Sequence, residues 1–455
     1  EVFDHISKLF REHGSNVWFE RDEKDLLPEG YTNEHSPNGI FKKEKDIMDV
    51  WFDSGSSHTG VMVERGFNYP VDLYFEGSDQ YRGWFNSSLI IGVAAHGKAP
   101  YKTVLSHGFV LDGKGNKMSK SLGNGIDPMD VIQEKGADAL RFFLTTNSTP
   151  GQDLRYDTTK VDSSWNFINK IWNAARYVQM QVGDEMPQLQ LDKLSSSDKW
   201  ILSRFNEVLD HVTANMEKYE LSMVGNELYN FVWDDFCSWY IELSKATLFS
   251  EDADVVKSTK AVLYTVMINI LKLLSPFMPF VTEEIYLDLP HEKESLNVET
   301  WPEKIDFAYT EAEKQEMAIV MSAIETVREV KTNYDMKPSK DLVISLRDQD
   351  NAWIGLSKDA NAVMDKMCHA QNVEELGSDD ILSRTISHAV FTCAMGDLID
   401  FEKEKAKLSN ALEHLEKEIK RSTGMLNNKG FVAKAPAAKV QQEKDKLASY
   451  QEQYE

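Results

Sequence analysis

Between Lys160 and Pro290, apolar residues recur every three or four positions, the spacing of one face of a helix. Consecutive amphipathic helices with short connections predict a helical bundle. The large aromatic residues on these faces are predicted to be core. Four faces are recognised: Trp165, Ile168, Ile171 and Trp172; Trp200, Ile201, Phe205, Val208, Leu209 and Val212; Leu228, Tyr229, Val232, Phe236, Trp239 and Tyr240; and a fourth helix from Ala261 to Leu274.

The earlier part of the chain mixes short apolar runs with turns and helices. Val2, Ile6, Leu9 and Phe10 predict a helix that opens the chain. The segment 46–57, DIMDVWFDSGSS, predicts a strand that runs into a Ser/Gly turn; the alternative is a helix cap at Asp53 or Ser54. VDLYF predicts a buried strand, EGSDQ a polar strand-to-helix transition and Tyr81–Ile91 a helix. Phe109, Val110 and Leu111 suit a strand end, and 127–144 predicts Pro-started helices divided by Gly136.

The last third of the chain predicts a different architecture. The prolines of LSPFMPFVTEEIY, 274–286, mark a helix break. A helix is predicted at 311–331. Two strands, LVISL at 342–346 and AVFTCA at 389–394, enclose another helix, which together predict a small α/β module.

Heptad spacing begins at Phe401. Leu408, Leu412, Leu415 and Ile419 step by 4, 3 and 4 residues, Gly424–Pro436 interrupts, and a seven-residue step resumes from Val440 to Leu447 and Tyr454. The pattern predicts an antiparallel coiled-coil hairpin.

Composition bounds the functions that are possible. The formal net charge of −24 argues against nucleic-acid binding over the whole surface. Residues 401–455 carry 11 Lys or Arg against 9 Asp or Glu, so contacts with nucleic acid are expected from local patches.

The three cysteines are far apart and form no CxxC, so no structural zinc is expected and a reducing cytoplasm fits. No apolar run approaches the roughly 18 residues of a membrane span. Because the chain lacks an initiator Met and an export signal, we expect it to be cut from a longer one.

The clearest chemistry lies in FVLDGKGNKMSKSLGN, residues 109–124. Asp112 to Asn116 supply the residue types of a tight turn. Lys117 and Lys120 follow, with Ser119 and Ser121 as hydroxyl donors. Two ammonium groups on a loop can neutralise the charge that builds on a polyphosphate leaving group. The alternative from composition alone is a solvated basic turn.

A second set of candidates lies where the predicted VDLYF strand ends. Acidic and amide groups at the carboxyl end of a parallel strand can hold a ribose or an amino-acid head group. The alternative is a simple helix cap. Lone tryptophans such as Trp51 and Trp84 are more often core than ligand contacts, and His107 alone suits a structural strand end.

The string KMSKSLGN resembles the signature loop of class I aminoacyl-tRNA synthetases of the Ile/Val/Leu branch. Residues 1–124 resemble the isoleucyl enzymes, including their connective segment and their EGSDQ motif. Residues 117–455 resemble the valyl enzymes, including FVAKAPAAKV of their tRNA-binding coiled coil. The resemblance implies that Lys117 and Lys120 face the phosphates and are catalytic, and that Met118, Ser119 and Ser121 belong to the ATP-binding loop. It implies that Glu76, Gly77 and Asp79 bind the adenylate ribose and that His107 and Gly108 lie beside the adenine. It also implies that Gln80 contacts the amino-acid backbone and that Trp51 and Trp84 form the walls of the side-chain pocket.

The implied fold is α/β plus all-α. The expected domains are a connective segment at 1–45, the second half of a Rossmann-like catalytic domain at 46–158, a helical anticodon-binding bundle at 159–305, a small α/β module at 306–398 and a coiled-coil hairpin at 399–455.

The implied function is ATP-dependent activation of a branched-chain amino acid and its transfer to tRNA, with ATP and Mg²⁺ as substrate. Isoleucine is favoured because the pocket residues lie in the isoleucine-like part, and valine is the alternative. The sequence lacks the HIGH tetrapeptide of these enzymes, so this chain alone is expected to be inactive. A monomer without membrane contact is expected. The competing hypotheses are a non-catalytic tRNA-binding protein and a coiled-coil scaffold.

Overall fold

The computed structural model describes residues 1–378, 380–396, 401–428, 430 and 436–454. The chain divides into two compact units. Unit one contains Glu1–Phe109 with Pro150–Gln152, and unit two contains Val110–Thr149 with Asp153–Glu455.

Unit one opens with two helices, α1 (Val2–His13) and α2 (Val17–Glu20). The predicted first helix is therefore confirmed. It is followed by a 3₁₀ turn at Glu23–Leu26. Leu9, Val17 and Leu26 form a small core that belongs to this segment.

The segment predicted as a strand at 46–57 is helical instead. It forms α3 (Val50–Gly55) and then a π-helix at His58–Val63. The helix begins where it does because the Asp49 carboxylate accepts a hydrogen bond from the Trp51 backbone N–H at 2.7 Å, which satisfies one of the unpaired donors of the first turn. Apolar residues in a row suit either structure, and this cap decides between them.

The centre of unit one is a strand–helix–strand arrangement. β1 (Val71–Gly77) pairs in parallel with β2 (Tyr101–His107). A 3₁₀ helix at Ser78–Arg82 and α4 (Trp84–His96) connect the two strands. The predicted VDLYF strand is confirmed, whereas the α-helix begins three residues later than predicted because the 3₁₀ turn precedes it.

Unit two begins with a short parallel pair, β3 (Val110–Leu111) and β4 (Leu154–Arg155). Between them lie α5 (Pro128–Lys135) and α6 (Ala137–Thr146). Gly136 separates the two helices at a φ of +82°, a backbone conformation that favours glycine. The two predicted helices and their division at Gly136 are confirmed, although only α5 begins at a proline.

The predicted bundle is present, and a single large hydrophobic core runs through it. The third predicted helix is compound, because a π-helical stretch at Phe231–Tyr240 joins two α-helices. The α-helices are α7 (Thr158–Val182), α8 (Ser196–Glu217), α9 (Leu221–Asn230), α10 (Ile241–Leu248), α11 (Ala253–Leu274) and α12 (Pro279–Asp288).

Two of the predicted core tryptophans lie at the surface of the bundle. Trp165 is 38% exposed and Trp172 is 36% exposed, whereas Ile168 and Ile171 are buried. The two tryptophans are seven residues apart, so they share one margin of the buried stripe of α7. The prediction that they are core was wrong for this reason.

A small α/β module follows the bundle. Its four described strands lie in the order β6 (Ala370–Asn372), β5 (Leu342–Arg347), β8 (Ala389–Ala394) and β7 (Ile381–Ile386). β5 and β6 are parallel, and the other pairs are antiparallel. Both predicted strands and both predicted helices are present, and two strands were missed. The elements are α13 (Glu311–Asn333), β5 (Leu342–Arg347), α14 (Lys358–Cys368), β6 (Ala370–Asn372), β7 (Ile381–Ile386) and β8 (Ala389–Ala394).

The chain ends in two paired helices, α15 (Phe401–Asn427) and α16 (Ala437–Tyr454). Their antiparallel sense follows from two hydrogen bonds, Ser422 to Glu443 at 2.8 Å and Tyr454 to Glu416 at 2.7 Å.

Two details of the predicted hairpin were wrong. α15 continues past Gly424 to Asn427. Leu408 and Leu412, two of the predicted heptad positions, are exposed. The phrase FVAKA at 431–435 lies outside the described residues, and the coiled-coil assignment itself stays a prediction.

Candidate functional site

The loop that carries Lys117 and Lys120 follows β3 and begins with a tight turn. The Asp112 backbone N–H donates to the carbonyl of Asn116 at 2.9 Å, and the Gly115 N–H donates back to the carbonyl of Asp112 at 2.8 Å. Gly115 has a φ of +84°, and a Cβ there would lie 2.8 Å from the guanidinium of Arg155. The positive φ favours glycine at this position, and a side chain there would also displace the guanidinium of Arg155.

Asp112 and Asn124 together hold the loop in place, and we call this pair the clasp. The Asp112 carboxylate accepts from the backbone N–H groups of Lys114 (2.9 Å) and Asn116 (2.7 Å) and from the Asn124 side-chain amide (2.9 Å). These hydrogen bonds, with Asn124 the largest contributor, lower the pKa of Asp112 to about 2. The carboxylate is therefore ionised at any physiological pH.

Asn124 in turn fixes the signature residues. Its side-chain carbonyl accepts from the Ser119 backbone N–H at 3.0 Å, and its amide donates to the Lys117 carbonyl at 3.3 Å. Ser119 also contacts the Ser121 hydroxyl at 3.1 Å. Met118 and Ser119 are partly buried, while the side chains of Lys117 and Lys120 are exposed. The backbone of the loop is thus held by hydrogen bonds within the loop, while both lysine side chains are exposed.

The candidate ribose-binding residues lie in unit one, at the carboxyl end of β1. Glu76 is opposite Ser106 and Gly77 is opposite His107 in the parallel register. A Cβ at Gly77 would lie 2.7 Å from the carboxylate oxygen of Asp79, so Asp79 folds back over the strand end. The structure therefore brings together Glu76, Gly77, Asp79 and His107.

The imidazole of His107 interacts locally. Its Nδ1 contacts the Gly108 carbonyl at 2.8 Å, and its ring meets the Phe75 ring edge to face at 5.2 Å. Both contacts orient the imidazole, and the side chain stays exposed at the end of β2.

The two candidate pocket tryptophans are held in different ways. Trp84 stacks on Tyr74 with ring centroids 4.1 Å apart, and its indole N–H donates to the Ser54 carbonyl at 2.9 Å. Trp51 is 46% exposed. Its ring lies against the backbone of Gly83, at which a Cβ would come within 2.7 Å of the Trp51 ring. Trp84 is thus held by contacts on several sides, while nearly half of the Trp51 surface is open to solvent.

Gln80, predicted to contact the amino-acid backbone, is tied to the same corner. Its side-chain oxygen accepts from the Trp84 backbone N–H at 2.9 Å and caps the first turn of α4. Gln80, Trp51 and Trp84 therefore meet around Gly83.

Sequence reasoning missed the clasp and Gly83. The sequence Asp-Gly-Lys-Gly-Asn is a signal for an Asx turn at Asp112. The link from Asp112 to Asn124 spans twelve residues and has no comparable local signal.

The described residues contain no cluster of three or more His, Cys, Asp or Glu side chains arranged to hold a metal ion. As far as the chain is described, none of its helices is both long enough and apolar enough to cross a bilayer.

Three family descriptions match consecutive parts of the chain. Residues 1–157 match tRNA synthetases class I (I, L, M and V), residues 198–346 match the anticodon-binding domain of tRNA ligase, and residues 400–455 match the valyl tRNA synthetase tRNA binding arm. The chain is related to the class I tRNA synthetases. The resemblance inferred from KMSKSLGN is thereby confirmed.

Two curated proteins and one solved structure are similar to the chain. The chain is 39% identical to the valine–tRNA ligase of Bacillus cereus over 98% of its own length and 52% of the relative's. The corresponding enzyme of Bacillus subtilis is 37% identical, over 97% of this chain and 52% of the relative. An Agrobacterium radiobacter LeuRS–tRNA–LeuAMS complex is similar at 17% identity and a TM-score of 0.48, over 66% of this chain and 41% of that one.

The chain therefore spans about half the length of the curated relatives it matches. The similarity to valine–tRNA ligases also covers most of residues 1–124, the part whose motifs resemble the isoleucyl enzymes. These relatives are named valine–tRNA ligases, whereas the sequence analysis favoured isoleucine and gave valine as the alternative.

Proposed function

We propose that this chain is the part of a valine–tRNA ligase that carries the phosphate-binding lysine loop, the amino-acid pocket and the tRNA-binding regions. The observation that supports this most directly is the lysine loop. KMSKSLGN occurs there unaltered, the clasp orders its backbone, and the side chains of Lys117 and Lys120 reach solvent.

In the proposed reaction the carboxylate of the amino acid attacks ATP, giving an aminoacyl-adenylate and pyrophosphate, and the aminoacyl group then passes to the terminal ribose of tRNA. The side chains supply position and charge and no nucleophile. Lys117 and Lys120 neutralise the charge that develops on the departing pyrophosphate. Mg²⁺ arrives with ATP as part of the substrate.

The residues in unit one have separate roles in this proposal. Glu76, Gly77 and Asp79 bind the adenylate ribose, with His107 beside the adenine. Gln80 contacts the amino-acid backbone, and the tryptophan rings enclose the side chain. An aromatic wall suits a branched aliphatic side chain because it offers apolar area and needs no polar partner.

Such a pocket can separate isoleucine from valine only weakly. One methylene is worth only roughly 1–3 kcal/mol of binding, and the isoleucine–valine pair is the standard example of this limit. The relatives favour valine, and the EGSDQ and DVWFDSG motifs that frame the pocket favour isoleucine, so the two amino acids must be compared directly.

The proposed reaction needs catalytic residues that this chain does not contain. No His-x-Gly-His tetrapeptide occurs in its 455 residues. α4 is apolar on all its faces, yet Leu89, Ile90 and Val93 are exposed. A helix of this kind is normally enclosed. We expect the missing half of the catalytic domain to cover that face.

The test joins the chain at Glu1 to the preceding half of the Bacillus cereus enzyme and measures ATP–pyrophosphate exchange. Valine is expected to support faster exchange than isoleucine. Lys120→Ala is expected to slow exchange roughly 10²-fold or more, because removing one charge-stabilising donor has an effect of that size. Lys114→Ala, an exposed lysine in the same hairpin but outside the signature, is the matched control.

Two results would contradict the proposal. A preference for isoleucine would show that the amino acid is wrong. Exchange that Lys120→Ala leaves unchanged would show that the loop has no catalytic role.

A second candidate is a tRNA-binding protein without catalysis, favoured by the absence of the HIGH tetrapeptide and by the match to a tRNA binding arm. It predicts that the 455-residue chain binds tRNA with an affinity that Lys120→Ala does not alter, and that the joined protein shows no exchange with either amino acid.

A further inference from the structure

Gly83 occupies the corner at which three parts of unit one meet. It ends the 3₁₀ helix Ser78–Arg82 and begins α4, and its carbonyl accepts from the Ser87 backbone N–H at 3.0 Å. A Cβ at this position would lie 2.6 Å from the side-chain oxygen of Gln80 and 2.7 Å and 3.1 Å from two carbons of the Trp51 ring. These separations are well below the roughly 3.5–4.0 Å at which carbon atoms attract one another.

We propose that Gly83 is a positioning residue of the amino-acid pocket. Because position 83 has no side chain, the ring of Trp51 lies directly on the start of α4, beside the Gln80 oxygen that caps this helix. The position of that ring sets how far the pocket wall stands from Trp84. This inference rests on the proposed function, since it takes the space bounded by Trp51, Gln80 and Trp84 to bind the side chain of a branched aliphatic amino acid.

The surrounding contacts decide which group would move if a methyl group were added. Trp84 is held by its stack on Tyr74 and by the hydrogen bond to Ser54, so it stays in place. The Gln80 side chain can rotate, although it then loses the bond to the Trp84 N–H. Trp51 is nearly half exposed and can swing toward solvent. Gly83→Ala should therefore displace the Trp51 ring and leave unit one folded.

The chain offers a matched control. Gly60 lies in the neighbouring π-helix, and a Cβ there would meet no described atom within 4 Å. Gly60→Ala makes the same chemical change without the contact. The structure also suggests a compensating variant, because Trp51→Phe removes the part of the indole that would meet the new methyl group.

The experiment uses the 455-residue chain labelled with 5-fluorotryptophan and observed by fluorine NMR. The Trp51 signal is assigned by its loss in Trp51→Phe. Without ligand, Gly83→Ala is expected to shift the Trp51 signal and Gly60→Ala to leave it unchanged. Titration with L-valine and with L-isoleucine then gives the affinity of the pocket, which Gly83→Ala should weaken by about tenfold or more. In a Trp51→Phe background, Gly83→Ala should weaken binding far less.

The outcomes separate this inference from the proposed function. If Gly83→Ala neither shifts the Trp51 signal nor weakens amino-acid binding, Gly83 has no positioning role. Equal weakening with and without Trp51→Phe also overturns it, since the effect then does not pass through that ring. If the Trp51 signal shifts in Gly83→Ala but neither amino acid perturbs Trp51 or Trp84 in the parent chain, the contact is real, the pocket assignment fails, and the inference fails with it.

Discussion

Gly225 is a position at which two opposing effects of one substitution can be compared. It lies in α9, and a Cβ there would come within 2.3 Å of both Cβ and Cγ2 of Thr146 in α6. Thr146 is buried, and its hydroxyl donates to the Phe142 carbonyl at 2.6 Å. The neighbour is therefore part of a rigid helix, and its side chain cannot simply rotate away.

Replacement of Gly225 by alanine has two opposing effects: it raises the helix propensity of α9, and it places a methyl group in the contact with Thr146. Alanine is favoured over glycine in a helix by about 1 kcal/mol. Because the added carbon would need to lie more than about 1 Å farther from Thr146 to reach normal contact, α6 and α9 must separate. Overpacking of this kind costs roughly 1–3 kcal/mol and occasionally more. An approach of 2.3 Å to a buried residue places the cost in the upper part of this range, about 2–3 kcal/mol, so after the gain in propensity Gly225→Ala should lower the free energy of unfolding by about 1–2 kcal/mol.

The control is Gly424→Ala in α15. This glycine is also helical and exposed, and a Cβ there would meet no described atom within 4 Å. The same substitution should stabilise the helical pair by about 0.5–1 kcal/mol. Both variants are measured by urea unfolding followed by far-UV circular dichroism. A neutral or stabilising Gly225→Ala would refute the argument, because it would show that the interface between α6 and α9 yields at little cost.

Two further predictions concern titratable groups. Asp112→Asn places a side-chain N–H₂ against the Asn124 amide, so hydrogen exchange of the backbone amides of Lys114 and Asn116 should accelerate. Adding Asn124→Asp should restore part of the protection from exchange. Exchange rates that Asp112→Asn leaves unchanged would contradict the role of the clasp. Because the pKa of Asp112 is lowered to about 2, the stabilising effect of its carboxylate is present above the ordinary pKa of 3.8 and is lost as pH falls toward 2. Burial, and to a smaller extent the nearby His96, lower the pKa of His58. The unfolded chain therefore takes up a proton near pH 6.5 before the folded chain does, and the free energy of unfolding should decline as pH falls below that value. His58→Phe should flatten the dependence of the urea midpoint on pH between about 7 and 5; a slope unaltered by the substitution would show that another group is responsible.

Helices were predicted correctly where the interactions that stabilise them are between residues close together in the sequence. The spacing of apolar residues indicated α7, α8, α11 and α13 because each side chain of a helix lies beside those three and four positions away. Asp127 with Pro128, and Gly136, indicated where α5 begins and ends for the same local reason.

The errors occurred where distant contacts decide the outcome. Val50, Trp51 and Phe52 suit a strand by propensity, but none of the described strands pairs with them. The Asp49 cap and the packing of Gly55 against Ile91 on α4 favour a helix instead. Trp165 fits the apolar spacing of α7, yet it lies at the margin of the buried stripe and is 38% exposed.

The sequence by itself determined the helical bundle, the position of the lysine loop and the chemistry expected of it, because a periodic pattern and an eight-residue signature are both written along the chain. Only the tertiary structure decided that Asn124 completes the hydrogen bonding of Asp112 and that the ring of Trp51 rests on a glycine at position 83. Those contacts join residues 12 and 32 positions apart, and their energies depend on the path of the backbone between them.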